Sequence, residues 1–307
     1  MVGKYNIHNE VQFAKIAQDI LEMANQLIGN YSYFISYMDK CDFRVLKVLT
    51  NGEILLKEGL ILPIEESYCH YIYEEKKPLV LSDSMKNDRT KYLKITTDAN
   101  IGSYAGVPII LKNGTIFGSL CTLDAHPITH NTNTVEILER LASFLSYAIE
   151  LELSTMKDPM TGIYNRLFWK RLLLQLKNEE GIHTFMLLDV DSFKVINDTL
   201  GHEKGDEVIV KIGNLLQNSI PENAFAFRFG GDEFGVLFPD LSLEQARPYA
   251  IDIKNKGEQI QISEKEISFS IGIVDTSCIG LEDIMNQADK LLYQSKKNGK
   301  NCISQIS

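Results

Sequence analysis

The residues with the most chemical promise in this 307-residue sequence lie in one run, Arg228-Phe229-Gly230-Gly231-Asp232-Glu233-Phe234. Two carboxylates follow directly on a pair of glycines. Alternating apolar residues flank the run, with Phe225, Phe227 and Phe229 before and Phe234, Val236 and Phe238 after. Period-2 alternation around Gly-Gly predicts a β-hairpin over 224–238 with a tight turn at its tip. Glycine there opens positive φ to the backbone and lets a ligand approach closely. A hairpin that only had to turn is served as well by Asn-Gly or Asp-Gly. Bare backbone followed by Asp232 and Glu233 suits a phosphate carried with a metal ion, although an isolated Gly-Gly-acid sequence is also an ordinary turn.

A second acidic cluster, Asp189-Val190-Asp191-Ser192-Phe193-Lys194, ends the apolar run 184–190. That run is apolar on both faces and reads as a central strand. An acid at the C-terminal end of such a strand faces a crevice. Asp189 and Asp232, on neighbouring strands, would offer hard oxygen ligands with the Val190 carbonyl, a set suited to Mg²⁺ bound together with phosphates. Asp191 also has the chemistry of a helix cap. Lys194 adds positive charge for a phosphate or is a solvated lysine. Farther on, Asn197 and Asp206 can read a guanine edge: an amide pairs with O6 or N7, and a carboxylate accepts from N1–H and the 2-amino group. Asp206 after Gly205 is equally a candidate N-cap. Lys296, Lys297 and Lys300 sit where a helix ends at Asn298-Gly299, as dipole partners or as phosphate contacts.

Two sets of elements position these groups. In the first half, helices are expected at 9–28 and 67–76 and strands at 31–38, 43–49, 78–83, 102–112 and 115–123. The last two strands are joined through Asn113-Gly114, a hairpin signal. Strands interleaved with helices suit an antiparallel sheet with helices packed on it. A closing helix at 133–155 carries Ile137, Leu141, Phe144, Ala148 and Leu151 at alternating four- and three-residue spacings. This is either an amphipathic face on its own domain or a seam for a parallel dimer. After the turn residues Asp158-Pro159-Met160-Thr161-Gly162, a second pattern begins, with helices at 165–178, 192–200, 204–218, 242–257 and 281–297 and strands at 184–190, 224–238 (the hairpin) and 267–275. Its order, βααββαβ, predicts an open sheet with helices on its faces. The fold class is thus α/β (α+β) throughout, with domains at 1–150 and 158–307 and a connecting helix at 133–157.

The whole-chain properties narrow the function classes. A net charge of −10 argues against broad nucleic-acid or anionic-membrane binding but leaves room for one basic nucleotide pocket. No apolar run nears the roughly 18 residues of a membrane span, and Met1-Val2-Gly3-Lys4-Tyr5 does not open a signal peptide. The five cysteines, Cys41, Cys69, Cys121, Cys278 and Cys302, are scattered without CxxC spacing, as expected of reduced thiols in the cytoplasm.

Together, the motifs of residues 155–307 resemble the GGDEF family of diguanylate cyclases. Asp158 to Arg166 is similar to the family's D-x-L-T-G-L-x-N-R turn, and Asp189 to Asp198 to its D-x-D-x-F-K-x-x-N-D. Gly201-His202 and Gly205-Asp206 match G-H-x-x-G-D, and Arg228 to Phe234 matches the signature. Ala288 to Lys296 resembles the A-D-x-A-L-Y-x-A-K helix. The resemblance implies a palm like that of class III nucleotide cyclases and condensation of two GTP to cyclic di-GMP and two pyrophosphate. It implies Mg²⁺, or Mn²⁺ in its place, on Asp189, the Val190 carbonyl and Asp232, with Glu233 beside them. Asp232 would accept the 3′-hydroxyl proton, and Lys194 would stabilise phosphate charge. Asn197 and Asp206 would hold guanine, His202 would line the nucleotide site, and Lys296 and Lys300 would contact terminal phosphates. One domain supplies half of the reaction site, so a homodimer is implied.

The chain departs from the family at Met160 and Ile163, which replace leucines, and at Lys300, where arginine is usual. The family's inhibitory R-x-x-D, placed by its distance from the signature, falls on Pro221-Glu222-Asn223-Ala224, so product feedback through that site is not expected. The rival function is a catalytically silent GTP-binding receptor; silent relatives usually lack acids that this chain keeps. An adenine-using cyclase would leave the Asp206 carboxylate without donors.

Residues 9–150 resemble a GAF domain through Tyr68-Cys69, Pro78 to Asp83, Val107-Pro108 and Gly118 to Asp124. This implies a sensory or dimerising module whose signal, a small molecule or a protein, the name leaves open. Cys69-His70 suggests either a chromophore site or a structural cysteine.

Overall fold

The structure, a computed structural model, describes residues 11–51, 53–177, 180–263 and 265–306. The chain divides into two compact units, residues 2–153 and 154–307.

The first unit contains α1 (Val11–Ile28), β1 (Ser32–Met38), β2 (Asp42–Leu49), β3 (Ile61–Pro63), α2 (Cys69–Glu75), β4 (Leu79–Leu81), α3 (Lys94–Asp98), β5 (Ser103–Ile110), β6 (Ile116–Asp124) and α4 (Thr132–Thr155). Its sheet has the order β3-β2-β1-β6-β5-β4 and is antiparallel throughout. The expected Asn113-Gly114 turn joins β5 to β6, with Gly114 at φ 77°. Alternation along β1 sends Tyr33 and Ile35 to a core shared with α1 and α4, and Phe34 and Met38 to a second core under α2 and its neighbours.

Helix α4 separates the residues of the expected seam. Leu141 is 3% exposed and packs in the domain core with Leu138, Ala142, Leu145 and Ile149. Phe144 and Leu151 are 63% and 69% exposed, and Tyr147 lies out with them at 57%. The period of the helix puts an inward and an outward apolar stripe side by side, and the alternating spacing in the sequence drew residues from both.

The second unit contains β7 (Tyr164–Asn165), α5 (Arg166–Leu176), β8 (Thr184–Val190), α6 (Phe193–Leu200), α7 (His202–Ser219), β9 (Phe225–Gly230), β10 (Glu233–Phe238), α8 (Leu243–Glu258), β11 (Gln261–Ile262), β12 (Lys265–Glu266), β13 (Phe269–Asp275), α9 (Ile284–Lys297) and β14 (Ile303–Gln305). Strand order is β14-β13-β8-β10-β9-β7, with β11 and β12 forming a separate ribbon. β8 is buried along its whole length and lies centrally, but both of its neighbours are antiparallel. It is apolar on both faces because helices cover both. Met186 and Leu188 pack with residues of α6, α7 and α8. On the other face, Phe185 and Phe227 pack against Trp169 of α5, the first ring tilted and the second edge-on, and Gly272 of β13 meets the backbone of α9 so closely that a Cβ would lie 2.2 Å from the Ala288 carbonyl oxygen. Among the described residues, no helix is long and apolar enough to cross a membrane.

Candidate active site

The hairpin forms as its alternation predicts, with an irregularity that the alternation does not contain. The register slips between Glu233 and Phe234, so Gly230 faces Glu233 while Arg228 faces Phe234. Val236 therefore pairs with Ala226, and Leu237 with Phe225. The two aromatic rows consequently lie on opposite faces of the sheet and feed different cores. At the tip, Gly230 and Gly231 have φ of 146° and 55°. A Cβ on either would meet nothing within 4 Å, so glycine serves the turn's conformation rather than a crowded contact.

Arg228 fastens this tip. Its Nε and Nη2 donate to the Gly231 carbonyl at 3.1 and 2.9 Å, and its Nη1 donates to Asp158 at 3.1 Å. Asp158 also accepts from the Thr161 amide and hydroxyl at 2.9 and 2.7 Å. Burial pushes the Asp158 carboxyl up, but the hydrogen bonds from Thr161 and the Arg228 charge outweigh it and hold the group below its ordinary value.

Register brings the acids together. Asp189 on β8 sits opposite Glu233 on β10 and Ser270 on β13, and the Val190 amide faces the Asp232 carbonyl at 3.4 Å. Asp189 is buried, 8% exposed, and its Oδ2 lies 2.8 Å from Lys296 Nζ at the last turn of α9. Its pKa is raised: burial is the largest cause, Lys296 opposes it, and the charges of Asp232 and Glu233 add to it. A buried carboxylate with two further acids beside it favours a cation. Among the described residues, no three carboxylate, imidazole or thiol groups converge into a ready-made metal cage.

Asp191 does not join this cluster, nor does it cap α6. It accepts from Ser268 Oγ at 2.8 Å, Ser270 Oγ at 2.6 Å and the Asn301 amide at 2.9 Å, which ties the end of β8 to β13 and to the segment after α9. Those partners lie far along the chain, and no local signal marks them. Lys300 reaches Ser192 Oγ at 2.9 Å, so Lys296 and Lys300 both come to the β8–α6 corner.

The remaining predicted residues lie on the α6–α7 pair. Lys194 is exposed on α6, and His202 is exposed at the start of α7. Asp206 is not an N-cap: α7 begins at His202, so the exposed Asp206 lies one turn inside it. Asn197 packs where Gly205 leaves space; a Cβ on Gly205 would fall 1.8 Å from Asn197 Oδ1. The amide and the carboxylate thus sit on adjoining turns of the two helices. Pro221 and Ala224 form the turn before β9, the Ala224 amide donating to the Pro221 carbonyl at 3.0 Å.

Residues 155–302 match the family model described as diguanylate cyclase, GGDEF domain, and residues 12–149 match that of the GAF domain. The chain is 35% identical over 155 residues to the probable diguanylate cyclase DgcT of Escherichia coli, covering 47% of this chain and 34% of that protein. It is 30% identical over 196 residues to the diguanylate cyclase VdcA of Vibrio cholerae, covering 58% and 56%. The chain thus spans between about a third and a little over half of the length of these curated relatives. A crystal structure of the coiled coil and GGDEF domain of DgcB from Caulobacter crescentus in complex with c-di-GMP aligns with a TM-score of 0.51 at 22% identity. The alignment covers 55% of this chain and 94% of that one, a likeness of fold. Residues 12–149 of this chain form a GAF domain, and residues 155–302 form a GGDEF domain.

Proposed function

We propose that the chain is a cytoplasmic diguanylate cyclase that condenses two GTP to cyclic di-GMP and two pyrophosphate, under control of its GAF domain. The observation that supports this reading is the register that sets Asp189 opposite Glu233 and beside Asp232, where β8 ends and β10 begins, with Lys296 against Asp189. The donor set, the carboxylates of Asp189 and Asp232 with the Val190 carbonyl, is of hard oxygens and would hold Mg²⁺, or Mn²⁺ in its place. When bound, that cation neutralises phosphate charge and lowers the pKa of the attacking hydroxyl.

The chain's own residues do the rest. Asp232 accepts the 3′-hydroxyl proton, with Glu233 beside it. Lys194, Lys296 and Lys300 gather the phosphate oxygens, and Lys296 also balances the Asp189 charge. Asn197 and Asp206 select guanine, and His202 lines the nucleotide site. Each domain holds one GTP, and two copies must meet for each hydroxyl to attack the other's α-phosphorus in line. The GAF domain receives a small molecule or protein signal. Neither nucleic acid nor membrane insertion belongs to the scheme. Incubation with GTP and Mg²⁺ followed by mass analysis tests it: cyclic di-GMP and pyrophosphate are expected, and GTP that is bound yet unchanged would identify a silent receptor instead.

A further inference from the structure

The GAF core contains a polar island with no counterpart in the nucleotide chemistry. Five side chains, Ser36, Cys69, Tyr104, Ser119 and Cys121, are each at most 1% exposed amid apolar residues. The two thiols share the same oxygen neighbours. Cys69 Sγ lies 3.2 Å from Ser119 Oγ and 3.6 Å from the Tyr104 hydroxyl. Cys121 Sγ lies 3.2 Å from Ser119 Oγ and 3.0 Å from the Tyr104 hydroxyl. Ser36 Oγ closes the island at 2.8 Å from Ser119 Oγ. A cavity of about 20 Å³, walled by Phe34, Phe43, Leu56 and Ile101, opens onto Cys69 and Tyr104. That is room for one water-sized guest.

We propose that Cys69 and Cys121 are a thiol pair that hydrogen peroxide converts to a reversible disulfide between α2 and β6. The Cys69 thiolate attacks one peroxide oxygen, the O–O bond breaks, and sulfenic acid and hydroxide form. The Cys121 sulfur then attacks the Cys69 sulfur, its proton leaves with the displaced hydroxyl as water, and the S–S bond closes. Peroxide is reduced and two thiols are oxidised, two electrons in all. The environment favours this order. Burial opposes a thiolate at Cys69, but hydrogen bonds from Cys121, Ser119, Tyr104 and Ser36 outweigh it and hold the thiol below its ordinary value. Burial, with Cys69 opposite, pushes Cys121 well above it. The cavity beside Cys69 is small, which favours an oxidant the size of peroxide over a bulkier one. The exposed Cys41 and Cys278 lie outside the island.

The test reads the thiols of the full chain and is independent of nucleotide turnover. The reduced protein is titrated with hydrogen peroxide, alkylated in denaturant and mapped by mass spectrometry without reduction. A Cys69–Cys121 cross-linked peptide is expected, lost on dithiothreitol treatment, absent from Cys69→Ser and Cys121→Ser, and retained in Cys41→Ser/Cys278→Ser. In Cys121→Ser, dimedone is expected to trap sulfenic acid on Cys69. If Cys69 and Cys121 both remain alkylatable after Cys41 and Cys278 have been oxidised, the proposal is overturned.

Discussion

Arg228 Nη1 lies 3.1 Å from Asp158 Oδ1, a link across 70 residues that joins the opening turn of the GGDEF domain to its signature hairpin. The same guanidinium donates twice to the Gly231 carbonyl, so one side chain sets the tip that presents Asp232 and Glu233.

Arg228→Lys should therefore cost both stability and activity. Lysine cannot reproduce the fork that serves Asp158 and Gly231 together, and hydrogen bonds to charged groups are worth about 1.5–3 kcal/mol each. Urea unfolding should show a loss of about 2 kcal/mol; an unchanged midpoint would remove the clamp. Asp158 carries a sign as well. Its folded pKa is depressed, so its contribution is present above the unfolded value near 3.9 and is lost as pH falls through the folded value. Asp158→Asn should flatten stability against pH in that acid range.

Asp189 carries the opposite sign. Its folded pKa is raised, chiefly by burial. The folded state holds that proton longer than the unfolded state, so stability declines as pH rises from the unfolded value through the folded one. Without Mg²⁺ at neutral pH, Asp189→Asn should be at least as stable as the parent. Its cyclic di-GMP formation should fall by a factor on the order of 10² to 10³. Thermal melts beside initial rates check both halves; normal turnover would dismiss Asp189 from the site.

Base selection rests on Asp206. Asp206→Ser should narrow the preference for GTP over ATP by roughly 1–3 kcal/mol, because guanine N1–H and the 2-amino group lose their acceptor. Competition between the two nucleotides measures it, and an unaltered preference would place guanine elsewhere.

Helix α4 offers a paired test. Leu141 fills the GAF core, so Leu141→Ala should destabilise that domain by about 2–5 kcal/mol. Phe144 is exposed, and Phe144→Glu should leave folding within about 0.5 kcal/mol of the parent. If the outer stripe pairs two chains, the Phe144 variant should dissociate at concentrations where the parent is dimeric and lose turnover with it. Light scattering that finds a dimer with full activity would exclude that stripe.

Much was legible in the residues alone, because local rules decided it. Alternation around Gly230-Gly231 marked the hairpin, and the run 184–190, with apolar residues on both faces, marked the buried strand that carries Asp189 near its end. Other outcomes depended on partners distant in sequence. The slip at Glu233 put two similar aromatic rows on opposite faces. Asp191, a cap by its position, became a tie to Ser268, Ser270 and Asn301. Asp206, a cap by its neighbour, fell inside α7. Leu141 and Phe144, equivalent by spacing, separated into core and surface. Periodicity tells which side chains share a face; only packing decides which face is covered and which polar group finds its partner.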